Sequence, residues 1–575
     1  MRKGILVIIT TLLFIGVKGQ DLDWMIQSEN IWVADNNIAI DAAGNIYMIA
    51  GVMDTVDIDP GVGTTLIYPS GSNGYEAFLT KYDSQGNFLW VRVMSSTVSS
   101  GVYNFSVDDS GNSYISGSFR GEIDFDNGIS TDNLIGINLN GTGFLAKYDS
   151  NGNFLWSKIS SDQEGVMYSQ VNVTSNSEFL LYGFYNALSD FDLGSGTHFE
   201  SVFDSEGGVY VAKYDGNANL IWVRTVSDGE RKWATWAGEK NGEVYLSAGY
   251  VNGFDTLVIP PDTIIRSMND YFILKYDVNG SVDWNISVGG NGNEYFKSYV
   301  LDDSGNLYVA GNFQNTVDFN PGGTTNNLSS IGKNDMFVSK YNSSGVSEWT
   351  CQISDVQDTS TDINHIFNPA INQVLSMAYD SQEGLLVSGH HYSELEVNHN
   401  GGMTLLPDIV GEGAFVMNFD ENGNYNFGET ISSSLYDIHG HGIVSDNNGS
   451  FYLSGHYGGT VDFDMGVGIY NASTGSREIF LAKYSFNAIG IDENGFDADF
   501  SLYPNPASNN ITIDFESEEQ FVNLQIINIR GQQIFIKEYK NTKNVQLNIE
   551  DFSSGVYFVK IITNNGFKTV KFVKK

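Results

Sequence analysis

One segment returns along this chain at a near-fixed interval, and that limits the fold more than any other feature. KYDSQGNFLW (81–90), KYDSNGNFLW (147–156), KYDGNANLIW (213–222), KYDVNGSVDW (275–284) and KYNSSGVSEW (340–349) are five copies of it. A sixth, NFDENGNYNF (418–427), has Phe in place of Trp, and a seventh begins as FLAKYS (480–485) and then stops. The interval is about 65 residues, which suits a four-stranded unit with one long loop. Such a unit cannot bury its faces alone and must stack on its neighbours.

Each repeat also carries an earlier segment: DAAGNIYMIAG (41–51), DDSGNSYISG (108–117) or DDSGNLYVAG (302–311), with weaker copies at 242–249, 381–389 and 447–455. DxxGN is a turn in which Gly or Asn supplies the positive φ. Strand A enters that turn and strand B leaves it; strand C is the F-x-x-K-Y run, and strand D leads to the Trp. In strand C, Phe78, Thr80 and Tyr82 share one face, and the stripe recurs at Phe144, Ala146, Tyr148 and at Phe480, Ala482, Tyr484. It is expected to pack between repeats; the other reading is an aromatic ladder for a ligand. The broken seventh copy lacks a D strand, whereas Asp21-Leu22-Asp23-Trp24-Met25 looks like an orphan one. The pattern predicts an all-β fold: a seven-bladed β-propeller over 20–488, closed by the N-terminal strand so that no blade edge is left open. The repeats resemble the bacterial seven-bladed β-propeller (SBBP) repeat over roughly 21–484. That resemblance implies fold, since propellers host many unrelated functions.

With 575 residues the chain exceeds one ordinary core, and 63 glycines, 13% aromatics and only 17% charged residues favour short strands and tight turns. The net charge of −40 repels phosphate backbones and excludes nucleic acid as a partner. From Asp499 onward nine Lys/Arg face eight Asp/Glu, so the acidity sits upstream. Its plain reading is solubility outside the cell; the sharper one is divalent-cation binding. Cys351 is the sole cysteine, which rules out an intrachain disulfide and reads as a buried, inert thiol. Arg2 and Lys3, an apolar run at 5–17 and the small Gly19 read as a secretory signal over 1–19. No later stretch has the apolar length of a membrane helix, so no transmembrane helix is expected in the mature chain.

A polar stretch at 489–499 reads as a linker. Beyond it, alternating apolar and polar residues at 511–515, 522–529, 545–549 and 556–562, with turns at Arg530-Gly531 and 564–566, predict a small Ig-like β-sandwich over 500–575. Leu502-Tyr503-Pro504-Asn505-Pro506, Gly531, Leu547, the run Ser554-Gly555-Val556-Tyr557-Phe558 and a basic tail from Lys571 resemble the type A sorting domain of the type IX secretion system. The resemblance implies a partnership with that secretion machinery. The product would be secreted, extracellular or held at the outer-membrane cell surface, with the domain removed near its start.

Two constellations could carry chemistry. The B–C loops, expected on the same rim as the D–A connections, contain Asp57 and Asp59, Asp124 and Asp126, and Asp462 and Asp464; Asp318 and Asn320 form a variant. Alternate carboxylates on a strand project to one side and suit calcium as a cofactor; the plainer reading is a solvated strand ending in a Gly turn. His390 and His456 follow the Gly of strand B in adjacent repeats, and His441 opens a strand A. These three could hold a transition metal or act in acid–base chemistry; the plainer reading is scattered surface histidines. Phosphate-binding Gly loops, HExxH and GxSxG are missing, so no catalytic residue is assigned. The favoured function is a non-enzymatic surface or secreted binding and adhesion scaffold for a glycan or protein. The alternative is an extracellular carbohydrate-active hydrolase or lyase using rim carboxylates.

Overall fold

The computed structural model describes residues 18–488 and 500–575, leaving out 356–371 and shorter stretches between strands. The expected signal at 1–19 lies almost wholly outside the described residues, as do the linker at 489–499 and the turn at Arg530-Gly531. Every named element is a strand, and no helix is long and apolar enough to cross a membrane. Contacts divide the chain into two compact parts, 21–485 and a smaller one containing 486–575.

In the larger part each repeat forms strands A to D, paired antiparallel in that order. They are Ile38–Ile40, Ile46–Val52, Glu76–Tyr82 and Phe88–Ser96 in the first repeat, and Ser99–Val107, Ser113–Arg120, Thr142–Tyr148 and Phe154–Ile159 in the second. The third has Val166–Val173, Phe179–Tyr185, Gly208–Tyr214 and Leu220–Val226; the fourth Lys232–Lys240, Glu243–Tyr250, Tyr271–Tyr276 and Val282–Gly290. The fifth has Glu294–Leu301, Leu307–Phe313, Asp335–Tyr341 and Ser347–Asp355; the sixth Gln373–Asp380, Gly384–His391, Glu412–Phe419 and Tyr425–Ser433. The seventh supplies Ile438–Ser445, Ser450–Asp462 and Asn471–Ala488, and the strand hydrogen-bonded beyond these is Lys18–Glu29. Strand A of each repeat lies beside strand A of the next, and that of the seventh lies beside that of the first.

The same turn closes A to B and C to D. Asp41 Oδ1 accepts the N–H groups of Ala43 and Asn45, Asn45 donates its amide back to Asp41, and Gly44 takes φ +79°. Burial pushes the Asp41 carboxyl up, but hydrogen bonds from Asn45 and Lys81 outweigh it and hold the group below the usual carboxylate range. Asp83, Asp108, Asp149 and Asp420 repeat these bonds.

Strand B does not stop at its recurring Gly but runs past it, opposite a bulge in strand A. In repeats two to seven the pairing skips Tyr103, Met167, Thr235, Lys297, Leu375 and His441. The bulge drives a carbonyl against the facing strand. A Cβ on Gly389 would sit 1.9 Å from the Gln373 oxygen, and one on Gly455 would sit 1.8 Å from that of His439. Only glycine fits there.

Strand D likewise continues beyond its Trp, which acts on the next repeat. Trp90 Nε1 and Lys81 Nζ both donate to the Ser150 carbonyl, at 3.3 and 3.1 Å, and the indole covers Gly152. Trp284 with Lys275 on Ser343, and Trp349 with Lys340 on Glu421, do the same. Trp24, on the N-terminal strand, donates to the Ser84 carbonyl of the first repeat at 3.2 Å and covers Gly86. Short B–C hairpins add a second tie: Glu122–Asp124 pairs with strand D of repeat one, Thr316–Asp318 with that of repeat four, and Leu395–His399 with that of repeat five.

In the smaller part, Phe500–Tyr503, Asn510–Asn528, Gln533–Asn548, Gly555–Thr563 and Gly566–Lys574 form one antiparallel sheet. The two segments expected at 511–515 and 522–529 are a single strand whose register breaks between Asp514 and Glu519. Its apolar side chains, Ile511, Ile513, Val522, Leu524 and Ile526, are buried together with Val559, Ile561 and Phe572.

Candidate functional site

Strands B and C of repeat six and strands A and B of repeat seven bring five titratable side chains together. His439 and His456 are cross-strand partners. His441 occupies the bulge two positions on, so its side chain is re-aimed by a register skip present in six repeats. His441 Nε2 and His456 Nδ1 are 2.8 Å apart. His390 comes from repeat six and stacks on His439, ring centroids 4.0 Å apart and 11° from parallel. Glu412, at the start of strand C of repeat six, is 2.5 Å from His439 Nε2. Ligand atoms of His439, His441 and His456 lie within 4.8 Å of one another, and so do those of His390, Glu412 and His439.

Burial dominates the chemistry of this cluster. His390, His456 and Glu412 are buried and His439 and His441 partly so. Burial first, then His441, His439, Arg477 and His390, push the His456 pKa down to about 2, which leaves a neutral imidazole. Its Nε2 is buried without a hydrogen-bond partner among the described residues. Of the sequence candidates, the fold brings His390, His441 and His456 into one cluster and adds His439 and Glu412. His439 was legible as the i−2 neighbour of His441; Glu412 carried no signal.

The Asp pairs are spread over separate hairpins. Asp57 Oδ1 accepts the N–H groups of Asp59 and Thr65, and Asp462 Oδ1 those of Asp464 and Tyr470. Asp124 accepts that of Asp126, and Asp318 those of Asn320 and Asn326. A pair not singled out from the sequence, Asp190 and Asp192, does the same, Asp190 taking the N–H groups of Asp192 and His198. The residue between the two acids is buried and its carbonyl accepts the strand C tyrosine: Tyr148 to Phe125 at 2.9 Å, Tyr214 to Phe191 at 2.8 Å, Tyr484 to Phe463 at 3.0 Å. The first acid thus closes the hairpin and the tyrosine pins it. The hairpins present apolar groups to solvent: Leu66 and Tyr68, Ile135, Leu188 and Phe199, Met403 and Leu405, and Tyr470.

In the smaller part Asn505 acts as a splint, its amide donating to the Lys571 carbonyl at 2.8 Å and accepting the Val573 N–H at 2.9 Å. Gly555 pairs with Lys574 and Tyr557 with Phe572 on the neighbouring strand. Residues 501–575 match the family of the secretion system C-terminal sorting domain. The chain carries a type IX sorting tail. This tail marks the protein for export, secreted or attached at the cell surface, and implies contact with the type IX secretion machinery. Tyr503, Pro504 and Pro506 lie at the start of the sorting tail, around Asn505, and Gly531 lies outside the described residues.

Upstream, an uncharacterized WD repeat-containing protein of Acanthamoeba polyphaga mimivirus is 23% identical over 470 residues, 67% of this chain and 32% of the relative. The chain therefore matches about a third of that relative's length. Among solved structures, a neuraminidase-like protein of a little yellow-shouldered bat isolate shares 8% identity, covering 67% of this chain and 94% of that one, with a TM-score of 0.31. Dimeric latent PorU from Porphyromonas gingivalis shares 12% identity, covering 64% of this chain and 31% of that one, with a TM-score of 0.12.

Proposed function

We propose that this protein is an exported, closed seven-bladed propeller of the SBBP-repeat kind that works as a binding and adhesion scaffold. Its hairpin-bearing rim is the docking surface, and its partner is a protein rather than a glycan. Closure is supported by Trp24, which reaches into repeat one as Trp90, Trp284 and Trp349 reach into their own successors. An Ig-like sandwich for the sorting tail is the companion reading, with the long strand bending between two layers.

The observation that carries the functional reading is the recurrence of solvent-facing apolar side chains on the hairpins. Ile135 is 70% exposed, Leu188 57% and Phe199 52%, although the hairpin backbones are pinned from beneath. A rigid hairpin holding aliphatic and aromatic groups in water suits an apolar protein surface, since little conformational entropy is left to lose on docking. Sugar sites lean on aromatic faces and would not call for Ile135, Leu188 or Met403.

The test is a panel of immobilised extracellular proteins and glycans probed with the purified chain and with an Ile135→Ser, Leu188→Ser, Phe199→Ser variant. The expected result is binding to a protein that falls at least tenfold in the variant while its melting temperature holds. Binding to glycans alone would overturn the protein partner. Release of soluble sugar from a polysaccharide substrate would replace the scaffold with the hydrolase or lyase.

A further inference from the structure

We propose that His439, His441 and His456, oriented by Glu412 and flanked by His390, form a site for a late first-row divalent cation, Zn²⁺ foremost, at the junction of repeats six and seven. This is independent of what the hairpins bind.

The first argument is placement. Six of the eight histidines of the chain lie in repeats six and seven. The positions they occupy are set by the repeat, not by chance on a surface. The bulge that presents His441 presents Tyr103, Thr235 or Lys297 elsewhere, and the position of His456 holds Ser118 or Asn312. One repeat has thus placed imidazole at a bulge, at the residue two before it on the same strand, and at that residue's cross-strand partner.

The second argument is chemical. Four imidazoles are packed with ring centroids 4.0 to 5.6 Å apart and have lost part of their solvation on burial. A cation that accepts their lone pairs offsets that loss. Glu412, in ion-pair contact with His439 Nε2, sits where a carboxylate can steady the ring of a ligating histidine. Imidazole with carboxylate selects Zn²⁺, Cu²⁺ or Ni²⁺ over the oxygen-seeking Ca²⁺ and Mg²⁺. The 2.8 Å between His441 and His456 is shorter than the ~3.3 Å that separates two donors on tetrahedral zinc. The rings need to part by only about half an ångström, exchanging one hydrogen bond for two metal bonds. The partial exposure of His439 and His441 gives the ion its entry.

The test uses the full chain, stripped with a chelator and dialysed against Zn²⁺, with metal counted by elemental analysis and affinity measured by calorimetry. The expected result is one equivalent of zinc, a melting temperature several degrees higher in the loaded protein, and visible bands from a tetrahedral site on loading with Co²⁺. Affinity should fall at least 100-fold in His441→Ser, a bulge position that takes other residues elsewhere, and in His456→Gln. Less than a tenth of an equivalent of zinc in the folded wild type would overturn the proposal. So would stoichiometric zinc with unchanged affinity in a folded His441→Ser protein, which would place the ion elsewhere.

Discussion

Glu429 sits in strand D of the sixth repeat, where burial pushes its carboxyl up to about 7. Below the ordinary glutamate range the group is protonated in folded and unfolded chains alike and has no effect. As pH rises through 4.5 toward 7 the unfolded chain ionises first, so stability falls across that window and stays lower above it. The Glu429→Gln variant should match the wild type at pH 4 and exceed it by roughly 2–3 kcal/mol at pH 8, measured by urea denaturation at both pH values. The Asp pairs carry a second expectation. Asp462→Ala removes the acceptor for two backbone N–H groups and should cost about 1–2 kcal/mol, equally with chelator and with millimolar calcium. A calcium-dependent rise in melting temperature confined to the wild type would instead assign the pairs to ion binding. Single residues were legible where chemistry is local: the DxxGN turn is written in five consecutive positions. They were illegible where the partner is distant, as with Glu412, which is near His439 only after two repeats have packed.

At the scale of strands, the Trp and Lys of one repeat grip a carbonyl of the next, and the hairpin of the next extends the sheet of the one before. Trp24→Ala should destabilise the larger part by about 2 kcal/mol, less than the loss of a fully buried aromatic because Trp24 is half-buried. Its calorimetric melting temperature should fall accordingly, while Leu155→Ala, an exposed side chain on a strand D, leaves it unmoved. The four strands of each repeat could be read from turn chemistry and alternation, and so could the orphan strand around Trp24. The hairpin pairings could not, because two or three residues of strand carry too little periodicity to name a partner. Nor could the bulge, although its mark, a Gly that admits no Cβ, stood in the sequence beside strands it did not end.

At the scale of the molecule, the sorting tail has its own core, so its loss should be felt in export and not in folding. In a host equipped with type IX secretion, a chain ending at residue 499 should be missing from the medium and the cell surface. The same truncated chain, purified, should melt within a degree or two of the full one. The overall class was legible because repetition multiplies a weak signal seven times. The exposed apolar side chains of the hairpins were not, because they depart from the repeat and their exposure depends on how the hairpins fold. Glu29 and Asn471, the near ends of the two strands that pair across the seam, are separated by 471 − 29 = 442 positions in sequence. The pairing of Lys18–Glu29 with Asn471–Ala488 therefore joins the two most distant strands of the larger part, and it supplies the outer member of the seventh repeat. Loop-closure entropy makes that step costlier only slowly with length. While that pairing is absent, the edge of Asn471–Ala488 is a bare strand edge that a strand from another molecule can take.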